Sequence, residues 1–172
     1  RTTANTFVLL GGDSCHFPGV FRPSAHLTLP STIPSTVRMD ARFPRPCPSS
    51  CFTCIHPVQD QASSTPFYNL PQTEGGWYVD PPRAQESVAS LSELDGNENI
   101  LVLIAHDMAM LEIKELYPNH NINAWKEKGW KERFAWGFLN ELPDNAGRAR
   151  REFEDAGRLD IKSPDNENWR LR

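Results

Sequence analysis

The chain has 172 residues, 38% of them hydrophobic and 23% charged, with 18 basic against 22 acidic side chains and a formal net charge of −4. That length allows one domain with a sizeable core or part of a larger one, and the acidic balance offers no general attraction to nucleic acid or an anionic membrane, so neither partner is expected. No apolar run approaches the roughly 20 residues of a membrane span, residues 1–15 lack a signal-peptide layout, and three of the four cysteines are bunched at Cys47–Cys54, which argues against a secreted disulfide scaffold.

A soluble chain in a reducing, cytoplasmic setting is therefore expected. Because it opens on Arg1 without an initiator methionine, it reads as a fragment or a processed form. Residues 6–10, TFVLL, predict a short buried strand, and Gly11 and Gly12 allow a sharp turn at its end. Asp13, Ser14, Cys15 and His16 follow at once, four reactive side chains on one strand tip. Between Pro18 and Pro82 lie twelve of the fifteen prolines, with many serines and threonines. Proline removes a backbone donor and clashes inside a helix, so residues 18–82 predict a long, mostly irregular covering insertion, with Phe17, Phe21 and Phe67 as candidate pocket walls.

Order returns at VDPPRAQESVASLSELDG, where Asp80 can cap a helix and Pro81 and Pro82 suit its first turn. Ala84, Val88, Leu91 and Leu94 recur at helical spacing before Asp95-Gly96 ends it. ILVLIA at 100–105 is apolar on both faces and predicts a strand buried in a helix-covered sheet, an α/β unit that ends at His106 and Asp107. Ligand sites in open α/β sheets gather beyond the carboxyl ends of strands, so Asp13 and His106 form the first candidate site. DMAMLEIKELYP predicts a short helix stopped by Pro118. NAWKEKGWKERFAWGFLNELP predicts an aromatic helix or turn pair whose Trp125, Trp130, Phe134, Trp136 and Phe138 serve core and pocket, since no basic groove accompanies them for base stacking. Residues 144–172, with balanced charges and few large apolar groups, predict a disordered tail behind a domain at 1–143.

Other chemistries compete for these residues. Gly12-Asp13-Ser14 matches the block of the GDS esterases, yet a nucleophilic serine needs a base, and no later Asp-x-x-His supplies one. Cys47, Cys51, Cys54 and His56 give four thiol and imidazole groups within ten residues, the alternative zinc site of a non-catalytic binding or regulatory fragment. Structural zinc usually draws on two ligand pairs across a longer loop, so free loop thiols are the simpler expectation.

GGDSCHFPGVFRPS, STPFYNL, YVDPPRAQESVASL, NILVLIAHDMAML and NAWKEKGWKERFAWGFLNELP together resemble, from about Thr6 to Pro143, the carboxyl-terminal half of a lactonase-like branch of the metallo-β-lactamase superfamily. The resemblance implies a partial αββα sandwich, a mixed sheet with flanking helices, within the α/β (α+β) class. It also implies a parent enzyme that activates water at a binuclear zinc-type centre to cleave a small lactone, ester or thioester. In that family an aspartate at a strand end bridges two ions and a histidine at a later strand end ligates one; the matching positions are Asp13 and His106. A carboxylate has two oxygens for such a bridge, and a neutral imidazole suits zinc. Three residues past the aspartate the related lactonases place a tyrosine, where this chain has His16, the catalytic candidate: it would donate to a developing oxyanion or, in the alternative, simply pack. Asp107 is a candidate to orient His106. The family's His-x-His-x-Asp-His motif does not occur in the 172 residues, so the chain alone is expected to hydrolyse little, and its uncovered apolar face to drive self-association or to need an amino-terminal half.

Overall fold

The computed structural model describes residues 5–72, 76–112 and 121–143. The proposed tail at 144–172, and residues 113–118 of the helix expected before Pro118, lie outside the described residues; the described part of that helix is a single 3-10 turn, Met108–Glu112. The architecture is α/β: a small sheet of β1 (Phe7–Gly12) and β2 (Ile100–Ile104), joined through α1 (Ser50–Thr53) and α2 (Pro81–Asp95) and followed by α3 (Trp130–Gly137). β1 and β2 pair in parallel, Phe7 opposite Ile100 through Leu10 opposite Leu103. A bulge then brings Gly12 opposite Ile104.

β2 is buried on both faces, because its alternating side chains enter two different apolar clusters. Val102 and Ile104 join Val88 and Leu91 of α2, while Leu101 and Leu103 meet Trp125, Trp130 and Phe134 on the opposite face. β1 was expected to be buried, yet Phe7 and Leu10 stand 50% and 76% exposed. β2 covers one of its edges; among the described residues no strand pairs with the other.

The proline-rich segment is irregular, as its composition requires, but it builds a core of its own. Leu29, Ile33, Val37, Phe43, Phe52 and Phe67 pack around Phe138, Leu139 and Leu142, so Phe67 is a core residue and not a pocket wall. Phe21 is likewise buried, in the α2 cluster. Such a loop core still needs its backbone polar groups satisfied. Buried Asn140 meets part of that need: its amide oxygen accepts from Asp40 N–H at 2.9 Å and its amide nitrogen donates to the Arg38 carbonyl at 2.9 Å.

α2 starts where Asp80 accepts from Arg83 N–H at 3.1 Å, with Pro81 and Pro82 in its first turn. Ala84, Val88 and Leu91 face inward as the spacing predicts, but Leu94 is 41% exposed and Asp95 is buried in its stead. The reason is a charge pair. Arg22, 1% exposed, donates from Nε and Nη2 to the two Asp95 carboxylate oxygens at 2.7 and 2.9 Å, and from Nη1 to the Phe134 carbonyl at 2.9 Å. One guanidinium thus ties the proline-rich segment to α2 and α3.

Removing one partner of a buried pair leaves the other charge uncompensated and typically costs about 3–5 kcal/mol. Arg22→Met should therefore lower the urea midpoint steeply, and adding Asp95→Leu should restore part of the loss. A single substitution within about 1 kcal/mol of wild type would contradict this role.

Candidate metal centre

Parallel strands carry their carboxyl ends to the same edge of a sheet, and this brings the two expected strand tips together. At the end of β1 the bulge adds Gly11, and Gly12 takes a φ of +53°, a conformation open to glycine at no steric cost. The Ala105 N–H donates to the Gly12 carbonyl at 2.9 Å, which extends the pairing one step beyond β2. His106 then adopts a φ of +65°, a left-handed conformation that typically costs a non-glycine residue about 1–3 kcal/mol. Its turn is braced from behind, where α3 packs so closely on Met108–Glu112 that a Cβ on Gly137 would stand 2.6 Å from the Ala109 Cβ.

The result is a cluster of three side chains. Asp13 Oδ1 lies 3.4 Å from His106 Nε2 and 3.7 Å from His16 Nε2, and all three possible ligand atoms lie within 4.8 Å of one another. The Asp13 and His106 side chains are mostly exposed, whereas His16 is held on several sides. Its Nδ1 is 3.3 Å from the Tyr78 hydroxyl, Trp77 meets its ring edge-on at 5.1 Å, and the His106 ring lies at 5.2 Å.

Tyr78 and Trp77 were not singled out from the sequence. A topological signal was available: they immediately precede α2, the helix that packs on β2 and leads into it, so its amino end lies near the strands' carboxyl edge. Partial burial raises the Tyr78 pKa, with Cys15 and Asp13 adding to the effect, so the phenol stays protonated at neutral pH.

The donor set fits a divalent ion of the zinc class. Two atoms each about 2.0–2.1 Å from one ion are about 3.4 Å apart at a tetrahedral angle, against about 2.9 Å at a right angle. The separations of 3.4 and 3.7 Å are close to the tetrahedral value, and both exceed the usual N–H···O hydrogen-bond range.

Neighbouring residues take other parts. Ser14 Oγ is buried and, among the described residues, has no hydrogen-bond partner, so the serine-hydrolase arrangement is not assembled. Cys15 is wholly buried, which pushes its thiol up to about 12 and leaves it protonated and inert. Asp107 does not orient His106: its Oδ1 accepts from Ala109 N–H at 2.9 Å, and its buried Oδ2 has no partner among the described residues. Consecutive side chains at the strand end point apart, and burial raises the Asp107 pKa against the opposing pull of Arg22.

The alternative zinc site at Cys47, Cys51, Cys54 and His56 is not formed. Asp13, His16 and His106 are the sole group of three or more possible ligands gathered around one point among the described residues. His56 is buried, its Nδ1 accepting from Val58 N–H at 3.0 Å and its Nε2 contacting the Thr65 carbonyl at 2.8 Å, so neither nitrogen is left for a metal. Cys47 is buried while Cys54 is exposed.

Comparison with known proteins bears on the family. Gamma-lactamase FDB1 of Fusarium pseudograminearum is 38% identical over 144 residues, which cover 83% of this chain and 33% of that protein. Metallo-hydrolase mfmC of Annulohypoxylon moriforme is 38% identical over 144 residues, 83% of this chain and 35% of its own. The chain is homologous to metallo-β-lactamase superfamily hydrolases. This bears out the resemblance drawn from its motifs. The chain spans about a third of the length of these two curated relatives. A protein named Cytochrome P450 monooxygenase mpaDE, of Penicillium roqueforti, is 32% identical over 143 residues, but these cover 14% of its length, too little for its name to describe the matched part. No family model matches the chain, and no solved structure does. No described helix is long and apolar enough to cross a membrane.

Thiol chemistry tests the placement of the four cysteines. In the native protein iodoacetamide should label exposed Cys54 first, with Cys15 and Cys47 reacting only after denaturation. Peptide mapping that found native Cys15 labelled as fast as Cys54 would contradict the burial of Cys15.

Proposed function

We propose that this chain is part of a metal-dependent hydrolase in which Asp13 and His106 help hold a zinc-type centre for the cleavage of a small lactone, ester or thioester. The observation that carries the reading is the approach of Asp13 Oδ1 to His106 Nε2, 3.4 Å apart at two adjoining strand tips. Relatives named gamma-lactamase and metallo-hydrolase support the reaction class, attack of water on an acyl carbon.

The residues divide the work by their chemistry. Asp13, with two carboxylate oxygens, one of them turned toward His106, is suited to bridge a pair of ions in the complete enzyme. His106 is suited to terminal ligation, and its left-handed backbone turns the ring back toward Asp13. Such ions, when bound, supply Lewis acidity and lower the pKa of a coordinated water toward about 7. Trp77, 64% exposed beside His16, offers an apolar wall to a small substrate at the lip of the site. Protonated Tyr78 is a neutral hydrogen-bond donor at the same rim.

One carboxylate and two imidazoles cannot fill the coordination of two ions. The 172 residues lack a His-x-His-x-Asp-His motif, and the chain alone is therefore expected to turn over little substrate. Two measurements test this. Inductively coupled plasma analysis after equilibration with zinc should find metal on the wild-type chain and at least about tenfold weaker retention in Asp13→Ala and His106→Ala. Hydrolysis of a chromogenic ester by the isolated chain should stay near the buffer rate. Zinc retention unchanged by Asp13→Ala would remove the proposed site.

A further inference from the structure

We infer that His16 is a third metal ligand, held by Tyr78, so that this chain by itself binds one divalent transition-metal ion through two imidazoles and one carboxylate. The inference rests on the proposed metal site at Asp13 and His106 and adds to it a ligand and a positioning residue. It assigns His16 differently from the oxyanion donor expected from the sequence, since one nitrogen cannot both ligate a cation and donate a proton to an oxyanion.

Three observations carry it. His16 Nε2 faces Asp13 Oδ1 at 3.7 Å, too far for a hydrogen bond yet close to the spacing of two ligands around one tetrahedral ion. His106 Nε2 stands 3.4 Å from the same oxygen, so one carboxylate oxygen and two imidazole nitrogens converge, all within 4.8 Å. On the far side of the His16 ring, Nδ1 is 3.3 Å from the Tyr78 hydroxyl. A neutral imidazole carries one proton and one ring lone pair. With the proton on Nδ1 and donated to the Tyr78 oxygen, the lone pair sits on Nε2 and points into the cluster. Metal-bound histidines commonly have their second nitrogen engaged in this way, which fixes both tautomer and ring orientation.

The rest of the surroundings limits the ring's freedom. Trp77 packs edge-on at 5.1 Å, and the His106 ring lies at 5.2 Å, tilted by 31°. The His16 side chain is 28% exposed, against 64% for His106 and 69% for Asp13, so the most buried of the three donors is the one nearest Tyr78. An ion held by three protein ligands retains an open position for water, the arrangement of catalytic rather than structural zinc. A donor set of two imidazoles and one carboxylate favours zinc or cobalt(II) over magnesium, which prefers oxygen ligands.

Cobalt(II) and zinc(II) alone are the probes, and binding rather than turnover is the readout. Titration of the chain should give one equivalent of cobalt(II) with the intense visible d–d bands of a tetrahedral site, displaced by zinc. His16→Ala should weaken binding by about 100-fold or more, and His16→Gln, which keeps bulk against Trp77 and Tyr78, should do the same with an unchanged melting curve. Tyr78→Phe should weaken it by about 10-fold and shift the d–d bands, a change that loss of packing alone would not produce. If both His16 variants bind cobalt with wild-type affinity and spectrum while Asp13→Ala abolishes binding, His16 is no ligand, but the Asp13–His106 site survives. Binding unaffected by Asp13→Ala would overturn both.

Discussion

The parallel pairing of β1 with β2 is the constraint from which the rest follows. Antiparallel strands would send Asp13 and His106 to opposite ends of the sheet; parallel strands carry both to one edge. The bulge between Leu10 and Gly12 then sets how the first tip ends. It bends β1 and lets Gly12 turn at positive φ, and Asp13 leaves the strand facing the residue that follows Ala105. Local irregularity in one strand and a left-handed residue after the other together aim two side chains at one point.

A buried charge pair anchors the irregular segment within an otherwise apolar interior. Arg22 reaches Asp95 at the end of α2 and the backbone of α3 at Phe134, so the irregular segment is bound to the elements on both sides of β2. Lys131 reinforces the same corner by donating to the carbonyls of Asp95, Asn97 and Ile100, which secures the connection from α2 into β2. Burial draws the Lys131 pKa down to about 8, opposed by the charge of Asp95. A segment poor in regular hydrogen bonding gains its fixed position from these polar anchors and from its own apolar cluster.

Three possible donors meet beyond the strand tips, and on β1 both Phe7 and Leu10 are largely exposed. The chain spans about a third of the length of the gamma-lactamase and metallo-hydrolase relatives, and among its described residues one edge of β1 has no strand partner. His16 and Tyr78 have a particular place in this setting, because they lie within the chain's own segments and give the cluster a third donor without outside help.

By itself the sequence determined what is local. Asp80 with its two prolines starts α2, the unbroken apolar run at 100–104 makes β2, and a strand followed by Gly11-Gly12 presents Asp13 at its tip. Each depends on neighbours within a few residues, where periodicity, capping and glycine geometry act directly. Only the tertiary structure decided which distant groups meet. Asp95 takes the inward position that spacing assigned to Leu94 because Arg22 arrives there from another segment. The bunched thiols with His56 have ligand spacing along the chain, yet backbone partners claim both nitrogens of that histidine. Tyr78 comes to His16 from a proline-rich stretch without regular pattern. Such encounters depend on how packed elements place side chains across long gaps in the chain, and no local periodicity encodes that placement.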